Sequence, residues 1–168
     1  MGRFVQVIAR TWLSQELYGH KYAPSIATYT SPYLYVKAML YTASADVLDK
    51  VERRYIQGMI EVLLSDPDPE IIHFVEHFQI RDPELVGSSS FLSNSMVTSR
   101  SMARVLVYDA LRTATADGVY DPAEKVHVYR VSRQTGISDS VTAKLEDISV
   151  RELRLSQRKR ELLLHGRY

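Results

Sequence analysis

An acidic turn written twice into this chain limits its possible folds more than any other feature. Ala43-Ser44-Ala45-Asp46 falls on Ala114-Thr115-Ala116-Asp117 and, with a one-residue gap, Asp49-x-x-Glu52 falls on Asp121-x-x-Glu124, a spacing of 71 to 72 residues. In each copy an apolar helical stretch precedes the turn and an acid-capped helix start follows it. One such hairpin cannot bury its apolar face alone, so two of them must pack around a shared core by a pseudo-twofold relation. The sequence therefore predicts an all-α bundle of about seven helices, built from two pseudo-symmetric halves that each turn through an acidic loop. No strand signal of comparable strength appears.

Length and composition agree with one globular body. At 168 residues, roughly 70% of the unfolded chain's surface can be buried on folding. Hydrophobic and charged fractions of 45% and 24% exclude collagen-like, coiled-coil and wholly disordered classes. Cysteine is absent, which removes disulfides, thiolate nucleophiles and cysteine-based zinc sites and favours a reducing compartment. No apolar run reaches the roughly 18 residues needed to span a bilayer, and no cleavable leader is evident. These features predict a soluble intracellular protein, cytoplasmic or, as the lesser expectation, in the mitochondrial matrix. It is not transmembrane, though peripheral association with a membrane complex stays open.

The near-neutral total hides a dipolar charge pattern. Residues 1–45 hold Arg3, Arg10, Lys21 and Lys37 against Glu16 alone, while residues 46–85 hold ten acids against four basic side chains. The tail is basic again, with Arg151, Arg154, Arg158, Lys159, Arg160 and Arg167 against Glu152 and Glu161.

Along the chain, Phe4, Ile8 and Trp12 recur every four residues, as on one stripe of a short N-terminal helix. Six of the eleven tyrosines (Tyr18, Tyr22, Tyr29, Tyr33, Tyr35 and Tyr41) cluster around Pro24 and Pro32. Residues 18–30 read as an extended arm that either docks on a partner or sister subunit or wraps its own bundle. Ser31 and Pro32 signal a helix start. Helices are predicted over residues 31–46, 50–64 and 68–78, and residues 87–95 form a small-residue linker. The second half is predicted to hold helices over 96–116, from Pro122 to the stop at Gly136, and from Ser138, with a separate basic helix over 149–165. The domains so drawn are a docking segment (1–30), a bundle (31–148, halves 31–86 and 94–148) and a C-terminal helix (149–168).

One motif carries catalytic associations. His73-Phe74-Val75-Glu76-His77 spells H-x-x-E-H, the inverted zincin signature. At roughly 100° per residue, Ile71, Phe74, Val75 and Phe78 share one face, and His73, His77 and Glu70 lie opposite, toward solvent. An active zincin needs its motif in a cleft, so the reading here is an exposed pair with at most opportunistic zinc or nickel binding. No nucleophile triad or phosphate-cradling loop is present, and no catalytic residue is assigned. The basic tail interleaves arginines with Leu153, Leu155, Leu162, Leu163 and Leu164, which favours packing on protein over nucleic acid. Trp12, Tyr18, Tyr22, Tyr29, Tyr33, Tyr35, Arg158 and Arg160 are the candidate partner contacts, to other proteins or to a second copy.

Residues 110–145, ALRTATADGVYDPAEKVHVYRVSRQTGISDSVTAKL, carry an apolar helix ending in A-x-[AS]-D-G, an acidic helix start and a further helix after a glycine turn. In this the chain resembles the tellurite-resistance TerB-like family, which also includes the N-terminal domain of a membrane-anchored DnaJ-type co-chaperone. The first half departs from the pattern, with Val47 in place of the glycine and Arg53 and Arg54 where the family tends to be acidic. The resemblance covers about residues 32–147. It implies an all-α bundle, no established catalytic activity, and clustered carboxylates that bind a divalent cation in some members. On this chain those are Asp117, Asp121 and Glu124, with Asp46, Asp49 and Glu52 as a weaker second copy. A capping box at Asp121 and Glu124, with Asp117 at a helix end, explains the same residues without metal, and no other cofactor is indicated. The function expected is a non-enzymatic structural or adaptor subunit, the alternative being a divalent-metal-binding stress-response module.

Overall fold

A computed structural model describes residues 16, 32–43, 48–63, 68–79 and 100–164. Among these the regular structure is all helical: α1 (Pro32–Ala43), α2 (Lys50–Leu63), α3 (Pro69–His77), α4 (Arg100–Ala114), α5 (Pro122–Gln134) and α6 (Asp139–Leu164). The predicted N-terminal helix, the tyrosine arm and the linker lie outside the described residues.

The central element is α1. Its sequence, PYLYVKAMLYTA, is apolar almost all round, the signature of a helix surrounded by others rather than lying on a surface. It packs most extensively on α4 and also touches α5 and α3. Tyr35, Val36, Met39, Leu40 and Ala43 meet Ile56, Met59 and Ile60 of α2, Ile71 and Val75 of α3 with Phe78 just beyond it, and Leu106 and Ala110 of α4. Small side chains on α1 and α4, including Ala38, Thr42, Ala103, Ala110 and Thr113, are fully buried. A second cluster joins Val107 and Leu111 to Val128, flanked by Tyr120 and Leu145.

Helix ends follow local chemistry. Asp68 caps α3 by accepting from the Glu70 N–H at 2.9 Å, with Pro69 at the first helical position. Gly118 and Gly136 take φ of +98° and +79° after α4 and α5, conformations that suit glycine. Arg53 of α2 donates to the carbonyls of Val75 (2.7 Å), Glu76 (3.3 Å) and Phe78 (2.7 Å), satisfying the C-terminal end of the short α3.

Two expectations are corrected here. The separate helix predicted from residue 149 is the continuation of α6, which runs unbroken for 26 residues. No glycine or proline interrupts it, and Ser149, which looks like a start signal, is buried inside it against Thr115. Tyr35, predicted as a partner contact, is a core residue: it is 1% exposed and its hydroxyl donates to the buried carboxylate of Asp109. A tyrosine on an all-round apolar helix buries its ring and finds an internal partner for its hydroxyl.

Candidate functional site

The helix starts that follow the two acidic turns are built the same way. Asp49 accepts from the N–H groups of Val51 (2.6 Å) and Glu52 (2.8 Å), and Glu52 reaches back to accept from the Asp49 N–H at 2.8 Å. In the second copy Asp121 accepts from Ala123 (2.6 Å) and Glu124 (2.9 Å), and Glu124 accepts from the Asp121 N–H at 2.9 Å. Each is a complete capping box, so the alignment of Asp49-x-x-Glu52 on Asp121-x-x-Glu124 reflects equivalent geometry. Asp117 shapes the turn before the second box by accepting from the Val119 N–H at 2.7 Å.

Packing of α1 and α2 on α4, and of α1 on α5, brings the two boxes together. Glu124 and Glu52, the latter 5% exposed, lie close enough for each to affect the other's ionisation. Asp49, Asp117 and Asp121 stand exposed around this pair. Burial pushes the Glu124 carboxyl up to about 7; the Asp121 N–H opposes that, and the charges of Glu52, Asp121 and Asp117 add to it. Glu52 is raised for the same first reason, with Asp49 and Asp117 adding to the rise, and is held down by the Asp49 N–H and by Glu124. Burial and neighbouring charge thus work against ionisation of both glutamates. Beside them His127 bridges the halves, its Nε2–H donating to the Tyr41 carbonyl at 2.6 Å, and burial lowers its pKa.

These carboxylates do not converge as a ligand set. Among the described residues, the group of three metal-ligating side chains with ligand atoms within 4.8 Å of one another is His73, Glu76 and His77. Asp117, Asp121 and Glu124 are occupied in turn and cap instead, as are Asp49 and Glu52, while Asp46 lies outside the described residues. The inverted-zincin motif sits on the exposed face of α3, opposite buried Ile71 and Val75, as its periodicity predicts.

A cavity of about 170 Å³ lies behind the second turn, lined by Tyr55, Arg112, Thr115, Ser149, Glu152 and Gln157 among others. The Arg112 guanidinium lies 5.7 Å from the Tyr55 ring centre and 5.6 Å from that of Tyr108, with its Nε 3.7 Å from Glu152. Tyr108 donates to the same carboxylate at 2.6 Å. Sequence reasoning missed this group, because its members come from three helices and share no motif. Of the predicted partner contacts, Arg158 and Arg160 are exposed on α6, the side chain of Tyr33 is not among those described, and Trp12, Tyr18, Tyr22 and Tyr29 lie outside the described residues.

Six helices among the described residues, two of them opened by equivalent capping boxes, define the all-helical TerB-like fold class. The chain matches the crystal structure of a tellurite resistance protein from Nostoc punctiforme with a TM-score of 0.69, covering 100% of this chain and 99% of that one at 19% sequence identity. That likeness establishes the fold, in agreement with the resemblance read from residues 110–145. No family model matches the sequence, and no curated protein matches it. No described helix is long and apolar enough to cross a membrane.

Proposed function

We propose that this chain is a non-enzymatic adaptor subunit, with the TerB-like bundle as its body and the end of α6 as a gripping element. The observation that supports it is the exposure of α6 beyond the bundle: every residue from 154 to 164 is exposed. Leu155, Leu162, Leu163 and Leu164 stand 54%, 64%, 80% and 70% exposed among Arg154, Arg158, Lys159 and Arg160. Leucines left in water beside a basic row suit a protein partner with an apolar groove and an acidic rim. The tyrosine arm and Trp12 would add contact area on the same partner. The test is the native mass of the protein purified from its source, for the wild-type chain and for Leu155→Glu/Leu162→Glu. A stoichiometric partner cross-linked to α6 and lost from the variant is the expected result. A wild-type monomer, or a partner retained by the variant, overturns the reading.

A second reading, a divalent-cation module in a stress response, draws on the Glu52–Glu124 pair, whose mutual repulsion a hard cation would relieve. The residues do not form a ligand set as they stand, so a cation there requires the carboxylates to move together. Calorimetry with Ca²⁺, Mg²⁺ and Mn²⁺ on wild type and Glu124→Gln tests it, and no heat in the wild type ends it.

A further inference from the structure

We propose that His73, Glu76 and His77 form a site on α3 for a divalent transition metal of the zinc, nickel and copper class. One ring nitrogen from each histidine and a carboxylate oxygen of Glu76 already lie within 4.8 Å of one another, all three side chains exposed. Two imidazoles one helical turn apart are the ligands such metals prefer, and a carboxylate as third ligand leaves a coordination position open to water. Calcium and magnesium, which want several oxygens, are disfavoured by the same set.

The surroundings hold the ligands in place. The His77 Nδ1 lies 2.9 Å from the His73 carbonyl. A carbonyl can only accept, so Nδ1 carries the proton and Nε2 keeps its lone pair for a metal, the second-shell arrangement typical of metal-bound histidine. The two rings sit 4.1 Å apart at a 34° tilt, both on one side of the helix. Gln57 of α2 donates to the Glu76 carboxylate at 3.3 Å. The backbone below is fixed because Arg53 occupies the carbonyls of Val75, Glu76 and Phe78. A metal bound here would staple the last turns of a nine-residue helix.

The experiment uses the untagged full chain, titrated with ZnCl₂ and NiCl₂ in competition with a chromogenic chelator. One ion per chain is expected, bound roughly tenfold more weakly by Glu76→Gln and at least roughly a hundredfold more weakly by His73→Gln/His77→Gln. Glu124→Gln should bind as the wild type does, which separates this site from the acidic turns. All three positions are exposed, and circular dichroism confirms that the variants keep the helical fold. In nitrogen-detected NMR, zinc should shift the ring signals of His73 and His77, with His77 ligating through Nε2. Undiminished binding by the double histidine variant, or zinc shifts at His127 in place of His73 and His77, overturns the proposal.

Discussion

Glu52 and Glu124 stand 72 residues apart in sequence and come within electrostatic reach of each other in the fold, each closing the capping box of its own helix. Each glutamate holds its box with an acceptor oxygen, so the pairing leaves both helices capped. The penalty is electrostatic: two desolvated carboxyls within reach of each other are harder to ionise together than apart.

That charge gives stability a pH dependence of known sign. Glu124 rises from an ordinary 4.5 to about 7 on folding. An acid raised on folding binds more protons folded than unfolded between those values. Its contribution is therefore full below about pH 4.5 and is lost as pH climbs through 7. Glu124→Gln removes the charge and keeps an oxygen for the Asp121 N–H. Between pH 5 and 8 the wild type should lose about 1 kcal/mol more than the variant in urea denaturation, after allowance for solvent screening of a half-exposed group. Parallel pH profiles would contradict this.

Tyr35 anchors α1 to α4 through Asp109, a carboxylate only 1% exposed. Tyr35→Phe keeps the ring and removes a donor from a buried acceptor. It should destabilise the fold by about 1–3 kcal/mol, read as a lower denaturation midpoint at unchanged slope.

Arg53 takes its guanidinium fork to three carbonyls at the end of α3 and to the Leu48 carbonyl at 3.2 Å. Lysine carries the charge without the fork, so Arg53→Lys should cost about 1–2 kcal/mol. Hydrogen exchange of the α3 amides should quicken more than that of α4. Uniform acceleration would show that Arg53 acts on the whole bundle.

Two glycines should respond with opposite sign. Gly58 is exposed within α2, and a Cβ added there would meet open space, so alanine should stabilise by about 0.5–1 kcal/mol. Gly136 holds φ at +79° after α5, where alanine should cost about 1–2 kcal/mol. Thermal unfolding of both variants checks the pair.

Local rules carry much of this molecule. The capping box at Asp121 and Glu124, the stops at Gly118 and Gly136, and the exposed face of His73 and His77 depend on neighbours within a turn or two, and the sequence shows them directly. The repeat extends that reach, because it implies two equivalent hairpins around one core. What stays hidden is set by distant packing. Tyr35 reads as a partner contact among clustered tyrosines until Asp109, 74 positions away, supplies an internal partner. Arg53 looks like a charge that spoils the acidic turn, yet its guanidinium turns to the end of α3. A helix start is expected at Ser149 because its burial against Thr115 has no local signature. Arg112, Tyr55 and Glu152 meet only once α2, α4 and α6 are assembled.

The most direct test of the paired turns is a carbon-detected NMR titration of the Glu124 side-chain carboxyl in wild type and Glu52→Gln. The structure predicts a midpoint of about 7 in the wild type, lowered in part when the Glu52 charge is removed, because burial, the larger cause, remains. A wild-type midpoint near 4.5, or one that Glu52→Gln leaves unmoved, would contradict the meeting of the two turns.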